Sequence, residues 1–232
     1  HMEIIAHKLP LFKEDESLTN YLQTHLTEVK NGDIIVITSK IIALSEGRTV
    51  SNPTPDIKKA QAKIESEEIV ETPWCLLTRR GNDWSANAGI DESNAQGKLI
   101  LLPKNSQETA ILIRQQLLKK FNFQQLGVII SDTRLVPLRI GTLGIALAWS
   151  GIEALIDYRG TKDLYGRELK MTQANIVHAL ASAAVLAMGE GSEQKPIALI
   201  RNAPVNFKET SGTISDLSVL PQDDLYAPLY QK

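Results

Sequence analysis

The sequence predicts a mixed α/β (α+β) fold in which mixed sheets pack against helices, and its hydrophobic patterning supplies the reasons. Ile34-Ile35-Val36-Ile37 and Leu126 to Ile130 are continuous apolar runs rich in β-branched residues, the pattern of strands covered on both faces. Leu18, Tyr21, Leu22, Leu26 and Val29 instead recur at helical spacing, so 17–29 is an amphipathic helix stopped by Asn31-Gly32. Strand-like and helix-like stretches of these two kinds follow one another along the chain.

The remaining elements follow in order. Residues 3–8 form a short apolar segment, and Pro10 marks a turn or an edge. Ser45 to Arg48 turns the chain into a short strand. Pro53 and Pro55 precede a charged helix at about 56–70, with a thin apolar stripe of Ala60, Ile64 and Ile69. Trp74 to Thr78 reads as a strand, Arg80 to Asp83 as a turn, and Trp84 to Ala86 as the partner strand. Lys98 to Leu102 is a further strand closed by Pro103. Asn105 and Glu108 form a capping box for helix 106–119, whose Ala110, Ile111, Ile113, Leu117 and Leu118 face the core. Gly144 to Ala148 is a strand of small residues, 172–188 an alanine-rich helix, and Pro196 to Ile200 a last strand. The polar, proline-bearing stretch 202–232 reads as a tail after a catalytic region at 3–201 that could comprise two intertwined subdomains. His178 on the 172–188 helix reads as a satisfied interior or interface histidine.

Composition bounds the function. The chain has 232 residues, 43% of them hydrophobic, enough for one large domain or two small ones. Its net charge is −2 with both signs mixed throughout, so neither a nucleic-acid footprint nor a membrane-binding basic patch is expected. No apolar run approaches the roughly 20 residues of a membrane span. The single cysteine, Cys75, excludes an internal disulfide and fits a reducing cytoplasm. It lies in an apolar run and reads as a buried structural thiol. His1-Met2 resembles a cloning remnant, which places the natural start at Met2 without a targeting segment.

Three polar stretches carry candidate chemistry. Asn87-Ala88-Gly89-Ile90-Asp91-Glu92-Ser93-Asn94 gathers carboxylates, carboxamides and a hydroxyl, and Ser131-Asp132-Thr133 follows the second buried strand. Each alone reads as an ordinary loop. Together, with Asp91 and Asp132 each held at a strand end, they suggest a metal–phosphate site, because hard divalent cations take oxygen ligands. Thr38-Ser39-Lys40 at the end of the first buried strand suits phosphate or, equally, a helix start with Thr38 or Ser39 as its cap. Arg134 and Arg139 flank a bend at Pro137. The polar run Asp157 to Glu168 reads as a functional loop or subunit contact.

TSKIIALSEGR (38–48), NAGIDESN (87–94), LLP (101–103), IISDT (129–133), DYRGTKDLYGREL (157–169) and MGEG (188–191) occur in the order seen in the coenzyme F420-0:L-glutamate ligases, and the chain resembles that family over roughly residues 9–200. The resemblance implies a fold particular to that family, a homodimer, and the joining of L-glutamate to an acceptor carboxylate with GTP, or ATP, and divalent Mg2+ or Mn2+, at two sites. It implies that Asp91, Asp132, Thr133 and Glu190 bind metal. Leu9, Pro10, Leu11, Phe12, Ser39, Lys40, Asn94, Met188, Gly189, Glu190 and Gly191 would meet nucleotide. Lys40, Asp91 and Asp132 would carry the catalysis, with Arg134, Arg139, Arg159 or Arg167 holding substrate carboxylates.

Departures from the family pattern fall on the segment expected to face the acceptor and on one position of the phosphate pocket. Leu44 stands where a second lysine is usual, and DTRLVPLR (132–139) replaces a segment close to DTFGRPWR. ALAWSGI (146–152) likewise replaces an AIGVAGI-like strand. Loss of the aromatic pair weakens the case for a flat deazaflavin acceptor, and Arg134 suits a second carboxylate, so a folate-type acceptor is expected to serve at least as well as F420-0. A catalytically inactive nucleotide-binding homologue and a two-metal phosphohydrolase are the alternatives.

Overall fold

The computed structural model describes residues 1–14, 16–81, 83–209 and 212–230. Its central element is a five-stranded sheet in the order β1-β12-β2-β8-β9. These strands are β1 (Glu3–Ala6), β2 (Ile34–Thr38), β8 (Gly127–Leu135), β9 (Thr142–Ser150) and β12 (Ile197–Arg201). Only β2 and β8 run parallel, with Ile34 opposite Gly127 and Thr38 opposite Ser131. The other pairs are antiparallel.

Alternation along β2 sorts its side chains onto two faces, which is why the run is continuously apolar. Ile35 and Ile37, with Val128 and Ile130, face a layer of α1 (Leu18–His25), α2 (Ser39–Ser45) and α4 (Ser106–Phe121). Ile34, Val36 and Ile129 face α5 (Ile176–Met188) and the buried Trp149. Ser17, Thr38 and Asn105 cap α1, α2 and α4 through their side-chain oxygens. Thr38 is therefore a helix cap, as one of its two readings required.

A smaller apolar cluster lies beside this core. Ala62 of α3 (Pro55–Ile64) meets Leu76, Ala88, Ile90, Leu99 and Leu101. Around it are the three-stranded sheet β4 (Glu68–Glu71), β5 (Leu76–Arg80) and β6 (Asp83–Ala86), and the pair β3 (Thr49–Val50) with β7 (Leu99–Ile100). A hairpin of β10 (Leu155–Asp157) and β11 (Gln173–Asn175) precedes α5.

Mixed α and β content is as the sequence led us to expect, and several element boundaries are corrected. The charged helix ends at Ile64, and Glu68–Glu71 pairs with β5 as a strand instead. Its inward residue is Ala62, while Ala60 is exposed and Ile64 is 75% exposed, so the buried face lies on the side of the helix opposite the expected stripe. Trp74 is 89% exposed and Cys75 half-buried in a turn ahead of β5, because Thr72 draws that turn closed through its backbone and hydroxyl. Helix 172–188 begins only at Ile176, since Gln173–Asn175 is taken up by the β10 hairpin. His178 is half-buried and accepts the Ala146 N–H at 3.0 Å, a satisfied interior histidine whose pKa burial lowers. Val205, Phe207 and Leu217 of the tail pack against the α5 side of the core.

α5 approaches the sheet closely because Gly144 has no side chain. A Cβ there would lie 2.7 Å from the Ala181 carbonyl oxygen and 2.8 Å from Val185. The Ser182 hydroxyl donates to the Gly144 carbonyl oxygen at 2.5 Å across the same contact. Gly144→Ala is expected to cost about 2 kcal/mol and to lower Tm by roughly 4–8 °C, as overpacking at a rigid contact does. Thermal unfolding followed by circular dichroism measures it, and an unchanged Tm would show that α5 can shift freely.

Candidate functional site

The parallel register of β2 and β8 brings two polar segments side by side at one end of the sheet. Thr38, Ser39 and Lys40 emerge from β2, and Ser131, Asp132 and Thr133 occupy β8 beside them. A register shift between Ile130 and Ser131 leaves Leu147 of β9 as an extra residue, and such a bulge re-aims the side chains beyond it. The Ser39 hydroxyl donates to Asp132 Oδ1 at 3.3 Å.

The acidic loop closes over this edge. A 3-10 turn at Asn87–Gly89 places Asn87 and Ala88 at φ 49° and 58°, a left-handed conformation that is costly for alanine. It is held by the Ala88 N–H donating to Thr78 Oγ1 and the Leu76 N–H donating to Asn87 Oδ1. Asp91 then bridges Ile100 in both directions through its backbone. Its carboxylate receives Lys40 Nζ at 2.6 Å. The same ammonium donates to Ser93 O and Ser93 Oγ at 2.9 and 3.1 Å. Burial pushes the Asp91 carboxyl up, but hydrogen bonds from Lys40 and Ser93 outweigh it and hold the group below the ordinary aspartate value.

The third wall follows α5. Gly189 ends the helix, and Asn94 Nδ2 donates to the Gly191 carbonyl oxygen at 2.9 Å, joining the acidic loop to MGEG. Glu190 lies exposed at the rim. Partial desolvation, then the Asp132 charge, push its carboxyl above the ordinary glutamate value, with Lys40 opposing and Asp91 adding to the shift.

The enclosed cleft has a volume of about 360 Å³. Of the residues singled out in the sequence, Pro10, Leu11, Phe12, Ser39, Lys40, Asp91, Asn94, Asp132, Thr133, Met188, Gly189, Glu190 and Gly191 line it. Leu9 lies instead in a neighbouring cavity of about 290 Å³ with His7 and His25. Arg134 is buried and bonded to Asp83 and Asp132, turned away from solvent. Arg139 is exposed and donates to the Leu138 carbonyl oxygen. Arg159 pairs with Asp157 and Arg167 is exposed, both in the segment between β10 and β11 and outside the cleft wall. Neither aspartate sits at a strand end: Asp132 is within β8, which runs on through Leu135, and Asp91 follows the 3-10 turn.

The model of the family described as F420-0:Gamma-glutamyl ligase matches residues 7–202. The chain belongs to that family. It is 36% identical to a coenzyme F420:L-glutamate ligase of Methanococcus maripaludis strain S2, with 97% of each chain covered. A protein of the same name from Methanocaldococcus jannaschii is 35% identical, covering 97% of this chain and 96% of that one. One from Archaeoglobus fulgidus is 34% identical over 85% and 86% of the two chains.

Within this family member, Ser93, Asp83 and Leu44 were not among the site residues read from the sequence. Ser93 lay inside the acidic stretch, and only its contact with Lys40 marks it out. Asp83 read as a turn residue, with no signal of its partner 51 positions away. Leu44 lines the cleft and gives it an apolar wall beside Ile100.

The donor set suits a hard divalent ion. Asp91, Asp132, Thr133 and Glu190 offer oxygen alone, and all four line the same cleft. Among the described residues, no three carboxylate, thiol or imidazole side chains gather tightly enough to enclose an ion.

A group whose folded pKa is raised loses stability as pH climbs from its unfolded value through its folded one. Glu190→Gln is therefore expected to raise Tm slightly at pH 7, by up to about 2 °C, and to change nothing at pH 3 where both states are protonated. Paired melting curves at the two pH values check this; a lower Tm at pH 7 would contradict it.

Proposed function

We propose that this chain is a nucleotide- and metal-dependent γ-glutamyl ligase that joins L-glutamate to an acceptor carboxylate by an amide bond through an acyl phosphate. The observation that carries this reading is the convergence of Lys40, Asp91 and Asp132 from three distant segments on one oxygen-rich cleft. The family match and the names of the relatives support the reaction class.

A carboxylate does not react with an amine, so an oxygen of the acceptor carboxylate first attacks the terminal phosphorus of GTP or ATP and releases the diphosphate. The glutamate amine then attacks the acyl carbon, phosphate leaves with that carboxylate oxygen, and the amine gives up a proton. No protein nucleophile is needed; positioning and electrostatics carry such a reaction. Lys40 neutralises phosphate charge as a point cation, Asn94 donates its second amide hydrogen to a phosphate oxygen, and Ser39, whose hydroxyl is given to Asp132, lines the nucleotide side. Asp91, Asp132, Thr133 and Glu190 would hold Mg2+ or Mn2+, which would supply positive charge against the phosphate oxygens. Pro10 to Phe12 wall the cleft on the nucleotide side.

The acceptor is F420-0 or a folate-type molecule. Arg134 no longer argues for the folate, because its fork is already bound to Asp83 and Asp132. What favours a changed acceptor is exposed Leu138, which stands where the family pattern has tryptophan, beside exposed Leu135 in place of its glycine. Purified protein with nucleotide, Mg2+ and L-glutamate, offered both acceptors in parallel and read by mass, tests the reading. A glutamate added to either acceptor supports it. Nucleotide consumed without acceptor would mean a phosphohydrolase, and no turnover a binding module.

Asp91→Asn and Asp132→Asn are each expected to lower kcat at least about 100-fold, because each removes charge from the cleft; Asp132→Asn should also lower Tm, since it takes a carboxylate from the buried Arg134. Near-normal activity in either variant would remove that residue from the site. A homodimer completes the proposal, supported by Leu138, Ile140, Leu164, Tyr165 and Met171, each at least 89% exposed. Solution scattering should give twice the chain mass, reduced toward one chain by Ile140→Asp; an active wild-type monomer would contradict it.

A further inference from the structure

Arg134 is buried, and its guanidinium spans two carboxylates from different sheets. Nε and Nη2 both donate to Asp83 Oδ2, at 3.1 and 2.9 Å. Nη1 donates to the Thr133 carbonyl oxygen at 2.8 Å and to Asp132 Oδ2. The other oxygen of Asp132 accepts from Ser39. Asp83 opens β6 and is half-exposed, so a continuous chain of hydrogen bonds runs from the three-stranded sheet to the cleft floor.

Two carboxylates thus share one guanidinium, which leaves negative charge over on Asp132 while fixing its orientation. Without the Asp83 charge, the full attraction of Arg134 would fall on Asp132 and make a neutral, self-contained pair. The planar fork makes this division possible, since its two edges address different acceptors.

We propose that Asp83 is a positioning residue of the cleft: it draws the Arg134 guanidinium outward, so that Asp132 stays oriented by Ser39 and keeps charge available for a cation. This rests on the role given to Asp132 under Proposed function. Asp83 touches no substrate and acts only through Arg134.

Titration of the full-length protein with Mn2+ alone, with free ion read by electron paramagnetic resonance, tests it without turnover. Asp83→Asn is expected to weaken Mn2+ binding about tenfold, the usual size of an outer-partner effect. Asp83→Glu, which keeps the charge within reach of a guanidinium, should stay within about threefold of wild type. Glu92→Gln removes an exposed carboxylate of the acidic loop that is paired with Lys58, not Arg134. It should change binding by less than about twofold, separating a path through Arg134 from loss of general negative charge. Wild-type affinity in Asp83→Asn, or an equal loss in Asp83→Glu or Glu92→Gln, would overturn this inference and leave the ligase reading standing. Failure of the wild type itself to bind Mn2+ would overturn both this inference and the metal site beneath it.

Discussion

The parallel pairing of β2 with β8 is the constraint on which the rest depends. Parallel strands share a direction, so both deliver their following residues to the same edge of the sheet. Thr38 lies opposite Ser131, which sets Ser39 and Asp132 within hydrogen-bond reach. That edge is held by apolar burial on both faces of the strands, and all eight residues of Ile34–Ile37 and Gly127–Ile130 lie in the buried interior. Burying each isoleucine or valine side chain among them contributes about 1.5–3 kcal/mol before entropy is counted, so the polar edge is anchored by apolar side chains packed into the core.

The other walls are fixed by weaker and more local devices. The acidic loop depends on a left-handed Ala88 held by Thr78, and on the backbone bridge from Asp91 to Ile100. Glu190 depends on how closely α5 can lie on β9, which Gly144 sets. Lys40 ties the first wall to the second, and Asn94 ties the second to the third. The cleft is thus an assembly of three rigid anchors joined by polar contacts between loops. Two of those contacts involve residues proposed to meet nucleotide, so binding and closure of the walls draw on the same groups.

The sequence disclosed the central sheet because its strands bury both faces and leave an unmistakable apolar run. It pointed to Asp91, Asp132 and Lys40 through their polar stretches, although only Lys40 directly follows such a strand and its cap, while Asp132 lies inside β8 and Asp91 after a 3-10 turn. It did not disclose where strands end: β8 continues through Arg134 and Leu135, since pairing with β9 compensates for polar side chains that look like loop. Nor did it disclose the partner of Arg134. An exposed fork for a substrate and a buried fork for Asp83 have the same local sequence, and only packing of the three-stranded sheet against β8 decides between them. The α3 boundary failed for a related reason, because Glu68–Glu71 is rich in helix-forming glutamate and is made a strand by pairing with β5.

The chemistry stands or falls on the acyl phosphate. An acceptor labelled with ¹⁸O in its carboxylate, incubated with the protein, nucleotide, divalent metal and L-glutamate, follows the atom that the mechanism moves. The released phosphate should carry one labelled oxygen for each glutamate added, because the carboxylate oxygen leaves on phosphorus. Unlabelled phosphate released alongside glutamylated acceptor would contradict the account.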